Sequence, residues 1–492
     1  MDKMLGHSLR GKEKLVGEGS MAMRAKGKKA ISSTSVAEMS EHSGDASEEL
    51  MEWSKTLSTE EKGSHSCWEW VVDMEQMLED TSPTVEMARW NQRSIYRVPE
   101  FMKKRTNSDA YRPLFVSLGP YHHGEPHLLP MEQHKRRAML HMVKRAGKPL
   151  GEFVAAVEEM ADELEAAYDD LDETWRGANR DRFVEMMVTD GCFLLEFLRI
   201  PEFLIYRNAD PGYAANDPVF SERSFRTLWP IMRVDLIAME NQVPLVVLER
   251  LVAVELSTSP SAGDINFAVL HLLNGPYFDE GMDKLGLHFL DLYHKSYCGA
   301  CPQWEGSDSY AIRTQSAVEL SEAGIQFHKS NDRGIHDVDF QNGVLSMPLF
   351  KFDDSTEIIF LNLMAFEWLH ADANRDVSFY ICFMDKIIES ETDVKLLRSK
   401  GLVVNLLGRD KKVVEMLNTL TKLSRVPIGR LGHVQWKLNA HCKKRRNKWR
   451  ASFVSTYLSN PWVFVSLVAA VILLLATLLQ TVYTMVPFYT KG

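Results

Sequence analysis

The apolar residues are distributed unevenly along the chain, and the longest apolar run lies near its C-terminal end. Residues 451–490 carry no charged side chain, and Trp462–Val486 is almost wholly apolar. A helix of 25 residues is about 37 Å long, enough to cross a hydrocarbon core of about 30 Å with some tilt. Trp462 at the start of this run suits a membrane–water interface. The pattern therefore predicts one transmembrane helix.

Before this run, apolar side chains recur at helical spacing through most of the chain. In Glu152–Asp170 they form one stripe with carboxylates opposite, which predicts an amphipathic helix. Arg182–Arg199 has a similar pattern, although Asp190-Gly191 could bend or break the helix. Leu228–Glu255 predicts two helices divided at Asn241–Pro244, because the residue before a proline avoids helical backbone. Further helices are predicted at Leu361–His370, Val377–Ser390, Val394–Lys400 and Lys411–Leu423.

A short section between these helices favours strands. The candidates are Ile325–Lys329, Asp337–Phe340, Val344–Met347, Leu349–Phe352 and Glu357–Phe360. The second and third could pair through Asn342-Gly343, since Asn-Gly is a strong signal for a tight hairpin turn. The last two could form another hairpin around residues 353–355. The predicted fold class is mostly α (α+β): a helical cytosolic body with a small antiparallel β-hairpin insert and one C-terminal transmembrane helix.

The same patterns divide the chain into regions. The N-terminal part is rich in Ser and Glu and has few large apolar residues, too few to offset the entropy of ordering. The predicted regions are a disordered arm at 1–66, a helical body at 67–440, a basic juxtamembrane segment at 441–460, the transmembrane helix at 461–486 and a short tail at 487–492.

The distribution of charge predicts how the transmembrane helix is oriented. The chain has 492 residues and a net charge of -10, but six basic residues and no acidic ones lie within residues 441–450. We call these six residues the basic collar: Lys443, Lys444, Arg445, Arg446, Lys448 and Arg450. Without the collar and Lys491, the net charge of residues 1–440 is -17. Basic residues concentrate on the cytosolic side of a membrane helix, so the body is expected in the cytosol.

Other features agree with a cytosolic body. The six cysteines are scattered, as expected of reduced thiols, and the sequence has no Asn-X-Ser/Thr sequon. Beside an anionic leaflet, each collar residue contributes about 1 kcal/mol, and the span is long enough for a thick bilayer. These points favour the plasma membrane over the endoplasmic reticulum and anionic lipids over nucleic acid as partners of the collar.

Several short segments in order resemble the plant domain-of-unknown-function 247 family, also called uncharacterised protein family 0481. They include Tyr-Arg-Val-Pro, Leu-Gly-Pro-Tyr-His-His-Gly, Asp-Gly-Cys-Phe-Leu-Leu-Glu and Glu-Asn-Gln-Val-Pro. The resemblance runs from about residue 67 to 486. Its residues include Tyr96, Arg97, Val98, Pro99, Gly119, Pro120, Tyr121, His122, His123, Glu132, Lys135, Asp190, Gly191, Glu196, Glu240, Asn241, Gln242 and Pro244.

What this resemblance implies is a membrane-anchored plant protein without an established catalytic activity. Some grass members of the family are implicated as pollen-side determinants of self-incompatibility, which implies a part in recognition between cells. The family has no agreed active site, so the resemblance transfers no catalytic residue to this chain.

The cluster most like an active site is His122, His123, His127, Glu132 and His134. Imidazoles beside a carboxylate could carry out acid–base chemistry or bind a metal. The sequence contains no Gly-X-Ser-X-Gly, no His-Glu-X-X-His and no Gly-X-X-X-X-Gly-Lys motif. The nearby Gly119-Pro120 and Gly124 instead favour a shaped loop whose histidines bind backbone groups.

A second cluster offers weak zinc candidates: His288, His294, Cys298 and Cys301. Two thiols and two imidazoles are suitable ligands. A single Cys-X-X-Cys pair lacks the repeated spacing of zinc ribbons, however, and His288 and His294 match one helical face poorly. We therefore expect neither a metal nor any other cofactor here.

The sequence as a whole predicts a single-pass membrane protein that takes part in recognition, signalling or protein interaction, with an unknown protein partner. The alternatives are a membrane-tethered enzyme that uses His122, His123 and Glu132, and a scaffold without a recognition role.

Overall fold

In the computed structural model, the described residues are 70–72, 74–75, 78, 82–206, 212–275, 283–299, 315–330, 334–423, 431–444, 450, 452–453 and 461–489. The contacts divide the chain into residues 1–81 and residues 82–492. In the first unit only six residues, all helical, are described, so the predicted disordered arm lies outside the described residues.

The second unit is mainly helical, as predicted. Its helices are α1 (Pro83–Gln92), α2 (Glu100–Arg105), α3 (Leu129–Ala146), α4 (Leu150–Glu158), α5 (Ala161–Ala166), α6 (Arg180–Tyr206), α7 (Glu222–Ile237), α8 (Leu245–Leu256), α9 (Ala262–Leu273), α10 (Phe289–Cys298), α11 (Ala317–Glu322), α12 (Thr356–Leu369), α13 (Asp376–Ile387), α14 (Glu391–Ser399), α15 (Asp410–Leu420), α16 (Leu431–Lys443) and α17 (Pro461–Tyr489). Short 3₁₀ turns lie at Ser108–Tyr111, Glu173–Trp175, Gly177–Asn179 and Ile335–Asp337.

The N-terminal half of the body is built around α6, which packs against α3, α4 and α8. Gly191 neither bends nor breaks this helix. A Cβ atom at Gly191 would lie 2.5 Å from Leu251 Cδ1 and 2.8 Å from Val247 Cγ1, so the glycine lets α8 pack closely against α6. The segment 152–170, predicted as one helix, forms α4 and α5, which are separated at Glu159 and Met160.

The C-terminal half contains α10 and α12–α16 with two small sheets. Helix α12 packs against α7, α10 and α13 and against the 3₁₀ turn at Ser108–Tyr111, so it joins the two halves of the body. Its residues are apolar almost throughout and buried on nearly every side, which is the pattern of a central helix.

The predicted hairpin is present in a three-stranded sheet. Strands β2 (Asp339–Gln341) and β3 (Val344–Met347) pair antiparallel, and β1 (Gln326–Lys329) adds parallel to β3. Asn342 and Gly343 form the turn, both with positive φ, which Asn and Gly tolerate best.

The second predicted hairpin is wrong. Phe350–Phe352 is a strand, β4, but its partner is the parallel strand β5, Val403–Asn405. Residues 357–360 instead belong to the first turns of α12. Glu357–Phe360 is followed by a longer apolar segment. The whole segment forms one buried helix, because a short apolar run alone does not distinguish a strand from part of a buried helix.

Helix α17 corresponds to the predicted transmembrane segment. Within it, Trp462–Tyr483 is long and apolar enough to cross a membrane, judged by length and composition, and its most apolar stretch is not buried in the body. Helix α16 precedes it in the described part of the chain and packs against β2 and α13.

Candidate functional site

The centre of the family-like segments is the chain between the 3₁₀ turn at Ser108–Tyr111 and helix α3. We call residues 112–128 the motif loop. The carboxylate of Asp235, at the end of α7, accepts hydrogen bonds from the backbone N–H groups of Leu114, Phe115 and Val116, at 2.7, 2.8 and 2.8 Å. Burial raises the pKa of Asp235 to about 6, although these three amides oppose the shift. One buried side chain thus fixes three consecutive residues of the loop.

The neighbouring amide side chains fasten the same loop to the corner between α7 and α8. Asn241 Oδ1 accepts a hydrogen bond from Leu118 N–H at 2.7 Å, and Asn241 Nδ2 donates to Val116 O at 3.1 Å. Gln242 Nε2 donates to two carbonyls at the end of α7, and its Oε1 accepts from Leu290 N–H in α10. The side chains of Asn241 and Gln242 therefore satisfy backbone groups that would otherwise be buried unpaired.

Glu240 ties two further segments together. Its Oε1 accepts a hydrogen bond from Val98 N–H at 2.7 Å and lies 2.8 Å from Lys103 Nζ. Its Oε2 lies 3.2 Å from His122 Nε2, while His122 Nδ1 lies 2.7 Å from Glu125 Oε1. Burial alone would raise the pKa of Glu240, but His122 and Lys103 hold it below its usual value. The His122 imidazole thus lies between two carboxylates inside the protein.

Lys135 and Asp190 form a buried ion pair beneath the loop. The Lys135 ammonium lies 2.5 Å from Asp190 Oδ1, 2.7 Å from Glu132 Oε1 and 2.8 Å from the carbonyl oxygen of Ser117. The other oxygen of Asp190 accepts a hydrogen bond from Gly119 N–H at 2.8 Å. We call Lys135, Asp190, Asp235, Glu240 and Asn241 the polar frame.

Gly119 shows why the loop carries glycine there. Its φ is +72°, and a Cβ atom would lie 2.6 Å from the carbonyl oxygen of Gln242. The Tyr168 hydroxyl donates to that same carbonyl at 2.9 Å. The following residues, Pro120 and Tyr121, are buried. The guanidinium of Arg97 lies 4.3 Å from the centre of the Tyr121 ring.

Glu196, also on α6, belongs to a separate group of charges. Its carboxylate accepts from Arg145 Nη1 at 3.2 Å, Arg199 Nη1 at 2.6 Å and the Tyr213 hydroxyl at 2.9 Å. Both arginines also contact Glu255 on α8. These contacts connect α3, α6 and α8.

The five residues of the enzyme-like cluster have different neighbours, and His134 lies beside Arg137. His122 lies between Glu125 and Glu240, Glu132 pairs with Lys135, and the His123 ring lies edge-on to Trp175, 5.3 Å between centres. His127 Nε2 lies 3.2 Å from the carbonyl oxygen of Pro113. Each of these side chains thus has its own neighbour within the fold.

Of the zinc candidates, the structure brings together His294 and Cys298, and adds Glu367 from α12. His294 Nε2 lies 3.0 Å from Glu367 Oε1 and 3.5 Å from Cys298 Sγ. Glu367 also accepts hydrogen bonds from Val377 N–H, Ser378 N–H and the Ser378 hydroxyl, at the start of α13. These three bonds make Glu367 a cap for the start of α13.

His288 is placed apart from that pair. Its Nε2 lies 2.9 Å from the carbonyl oxygen of Ser94, and its Nδ1 accepts from Asp291 N–H at 3.2 Å at the start of α10. Burial lowers the pKa of His288 to about 4, so the ring is neutral and donates from Nε2. Both ring nitrogens are therefore engaged. Cys301 lies outside the described residues.

Two residues that hold the fold together are absent from the site residues named above, although their segment, Asn362–Glu367, belongs to the family-like series. Asn362 Oδ1 accepts from Met239 N–H at 2.8 Å, and its Nδ2 donates to Ala110 O at 2.7 Å. Glu367 is the other. Both are polar residues in the otherwise apolar run of α12, and that isolation is the signal that could have identified them.

The collar residues are only partly described. Lys443 and Lys444 are exposed at the end of α16, whereas Arg450 lies against Gly324, at the junction of α11 and β1. Arg445, Arg446 and Lys448 lie outside the described residues.

Comparison with known proteins agrees with the resemblance. Residues 95–476 match the model of domain-of-unknown-function 247, described as a plant protein of unknown function. A protein of uncharacterised protein family 0481 from Arabidopsis thaliana is 30% identical over 423 residues, covering 79% of this chain and 85% of that relative. A putative protein of the same family and plant is 22% identical over 518 residues, covering 84% of this chain and 93% of that relative. No solved structure gives a significant match.

Proposed function

Because this chain belongs to the plant domain-of-unknown-function 247 family, we propose that it acts by protein recognition at a membrane and not by catalysis. The observation that carries this proposal is the use of the polar motif residues. The side-chain oxygens of Asp235, Asn241 and Asp190 accept hydrogen bonds from backbone N–H groups of the motif loop. Side chains committed to the fold are poor candidates for binding and transforming a substrate.

The alternative, a membrane-tethered enzyme, needs a nucleophile, a base and an orienting group that share one substrate position. His122, His123 and Glu132 have different neighbours, as described above. His294 and Cys298 contact each other, but the thiol and Glu367 both approach the same ring nitrogen, Nε2. A relay would need them on opposite nitrogens. The geometry therefore favours the recognition proposal.

The membrane part of the proposal rests on α17 and the collar. We propose that α17 spans the bilayer with the body in the cytosol, and that the collar contacts anionic lipids. The same charges and the length of the span favour the plasma membrane over the endoplasmic reticulum. In that position the body would meet a protein partner at the cytosolic surface, in a recognition or signalling role of the kind implied for some grass relatives.

Protease protection tests the topology. Protease added to sealed microsomes that carry the full chain should digest the body and leave a small fragment that contains α17. A lumenal marker protein must stay intact in the same sample, and detergent must expose it. If the body is protected and only the C-terminal tail is cut, the orientation is reversed and a cytosolic partner is ruled out.

A further inference from the structure

Helix α16 has two different faces. Leu431, Val434, Leu438 and Cys442 are buried in the body. On the opposite side lie His433, Trp436 and Lys443, with Lys444 directly after the helix, and all four are exposed. We call these four residues the outward face of α16. The Trp436 side chain is 58% exposed, and its ring lies parallel to that of His433, with 6.4 Å between centres.

The charge of this helix differs from that of the body. Residues 431–450 contain no acidic residue, whereas residues 1–440 are strongly acidic overall. Beside the outward face, Lys437 Nζ lies 3.7 Å from Asp339 Oδ1 on β2. Lys443 and Lys444 extend the positive charge toward the rest of the collar. The outward face thus combines an exposed tryptophan with cations.

The position of α16 in the chain keeps this face close to the predicted membrane helix. Beyond α16 the chain touches the body again at Arg450, whose Nη1 atom lies 2.6 Å from the position that a Cβ atom of Gly324 would take. Gly324 has a φ of +93°, and its missing side chain leaves room for the guanidinium. From Arg450 to Pro461, at the start of α17, a fully extended chain spans at most about 40 Å. The body therefore cannot lie far from the bilayer that α17 enters.

We propose that the outward face of α16 lies on the headgroup layer of the same bilayer, with Trp436 among the headgroups and Lys443 and Lys444 beside anionic lipids. This inference rests on the proposed function, in which α17 spans the membrane. Tryptophan prefers the membrane interface because its ring is apolar and its N–H is polar. Each lysine near an anionic surface gains about 1 kcal/mol. An exposed tryptophan among cations, next to a membrane helix, fits lipid headgroups better than an acidic protein, because the opposing charge is already present in the leaflet.

A consequence of this contact is a fixed orientation of the body. Since α16 packs on β2 and α13, the side of the body that carries the small sheet would face the membrane. Helices α3, α6 and α8 pack with one another. Their surfaces would remain open to the cytosol, where a protein partner could bind.

Tryptophan quenching tests the contact with the full chain. The protein is reconstituted into vesicles of phosphatidylcholine and phosphatidylserine that contain a lipid with a spin label on its headgroup. The share of fluorescence quenched by this lipid should fall by the contribution of one tryptophan in Trp436→Phe. The matched control is Trp368→Phe, since Trp368 on α12 is 51% exposed and lies away from α16 in the chain. This variant removes a tryptophan that the lipid does not quench, so the quenched share should not fall.

The outcomes distinguish a failure of the α16 contact from a failure of the membrane insertion of α17. If the quenched share does not fall in Trp436→Phe while the protein stays with the vesicles after an alkaline wash, α17 is anchored but the contact of α16 is refuted. If the parent protein does not float with the vesicles, the membrane proposal fails and the inference fails with it. Replacing phosphatidylserine by phosphatidylcholine should also lower the quenching of Trp436, as should Lys443→Gln combined with Lys444→Gln.

Discussion

The polar frame and the outward face of α16 use their side chains in opposite ways. In the polar frame, charged and amide side chains are buried and bind backbone groups of the motif loop. At α16, a tryptophan and two lysines are exposed. The first region holds the body together, and the second is free to contact something outside it. A conspicuous polar motif can thus be part of the framework, while the exposed side chains that are available for contacts lie elsewhere.

Physical chemistry explains the difference. An ionised group inside a protein is costly unless its oxygens or protons are satisfied, so each member of the polar frame has several partners. An exposed aromatic or lysine side chain costs little and contributes little until a partner covers it. Substitutions in the two regions should therefore have very different effects on stability.

The largest loss is expected when the buried ion pair is broken. Asp190→Ala leaves Lys135 buried with reduced compensation and removes the acceptor of Gly119 N–H. We expect the free energy of unfolding to fall by about 3–5 kcal/mol. Urea unfolding of the full chain in detergent, followed by near-ultraviolet circular dichroism, measures this change.

The matched control is an ion pair at the surface. Glu222→Gln disrupts the exposed pair with Arg226 on α7 and should change the free energy of unfolding by no more than about 0.5 kcal/mol. A loss below about 1 kcal/mol in Asp190→Ala would contradict the framework role of the polar frame.

A smaller effect is expected from the titration of His288. Its pKa is about 4 in the folded protein, against an ordinary value of 6.5. Between these two values the unfolded chain binds a proton that the folded protein does not, so this residue lowers stability as the pH falls from about 6.5 to 4, by at most about 1.4 kcal/mol per pH unit. His288→Gln removes the titrating group and should flatten the dependence of the melting temperature on pH in that window.

His328→Gln is the control for that experiment, since His328 is exposed on β1. This variant should keep the pH dependence of the parent protein. An unchanged slope in His288→Gln would mean that other buried groups dominate the acid sensitivity.

The smallest effect is expected on the outward face of α16. Trp436→Gln should change the free energy of unfolding by no more than about 0.5 kcal/mol, because the side chain is largely exposed. Leu438→Ala, two residues further along the same helix but fully buried, should cost about 2–5 kcal/mol. If the two variants are equally destabilised in detergent unfolding, Trp436 is part of the packing and the contrast between the regions disappears.

The sequence predicts local features better than distant ones. The pairing of β2 and β3 is recognisable because Asn342-Gly343 lies between the two strands. The parallel pairing of β4 with β5 is not, because residues 353–402 separate the partners and no local pattern records a distant strand. The helical class depends on local periodicity, and the C-terminal segment is recognisable as one long uncharged apolar run, so both could be predicted.

The same distinction applies to the candidate site. The sequence indicates that Glu240, Asn241 and Gln242 are polar groups among apolar runs, but their partners lie in other segments. Leu118 N–H is 123 residues from Asn241, and His294 meets Glu367 across 73 residues. Contacts of this kind depend on how the helices pack, and a single sequence does not contain that information in a readable pattern.

Asn362 has a consequence for the synthesis of the chain. It donates a hydrogen bond to the carbonyl oxygen of Ala110, 252 residues earlier, and accepts one from Met239 N–H. A ribosome adds about 5–20 residues per second, so Ala110 is made about 13–50 s before its partner. During that interval the N-terminal half has no α12 to pack against, and the apolar surface that α12 later covers stays exposed. The rate of translation across this stretch therefore sets how long the nascent chain stays prone to aggregation.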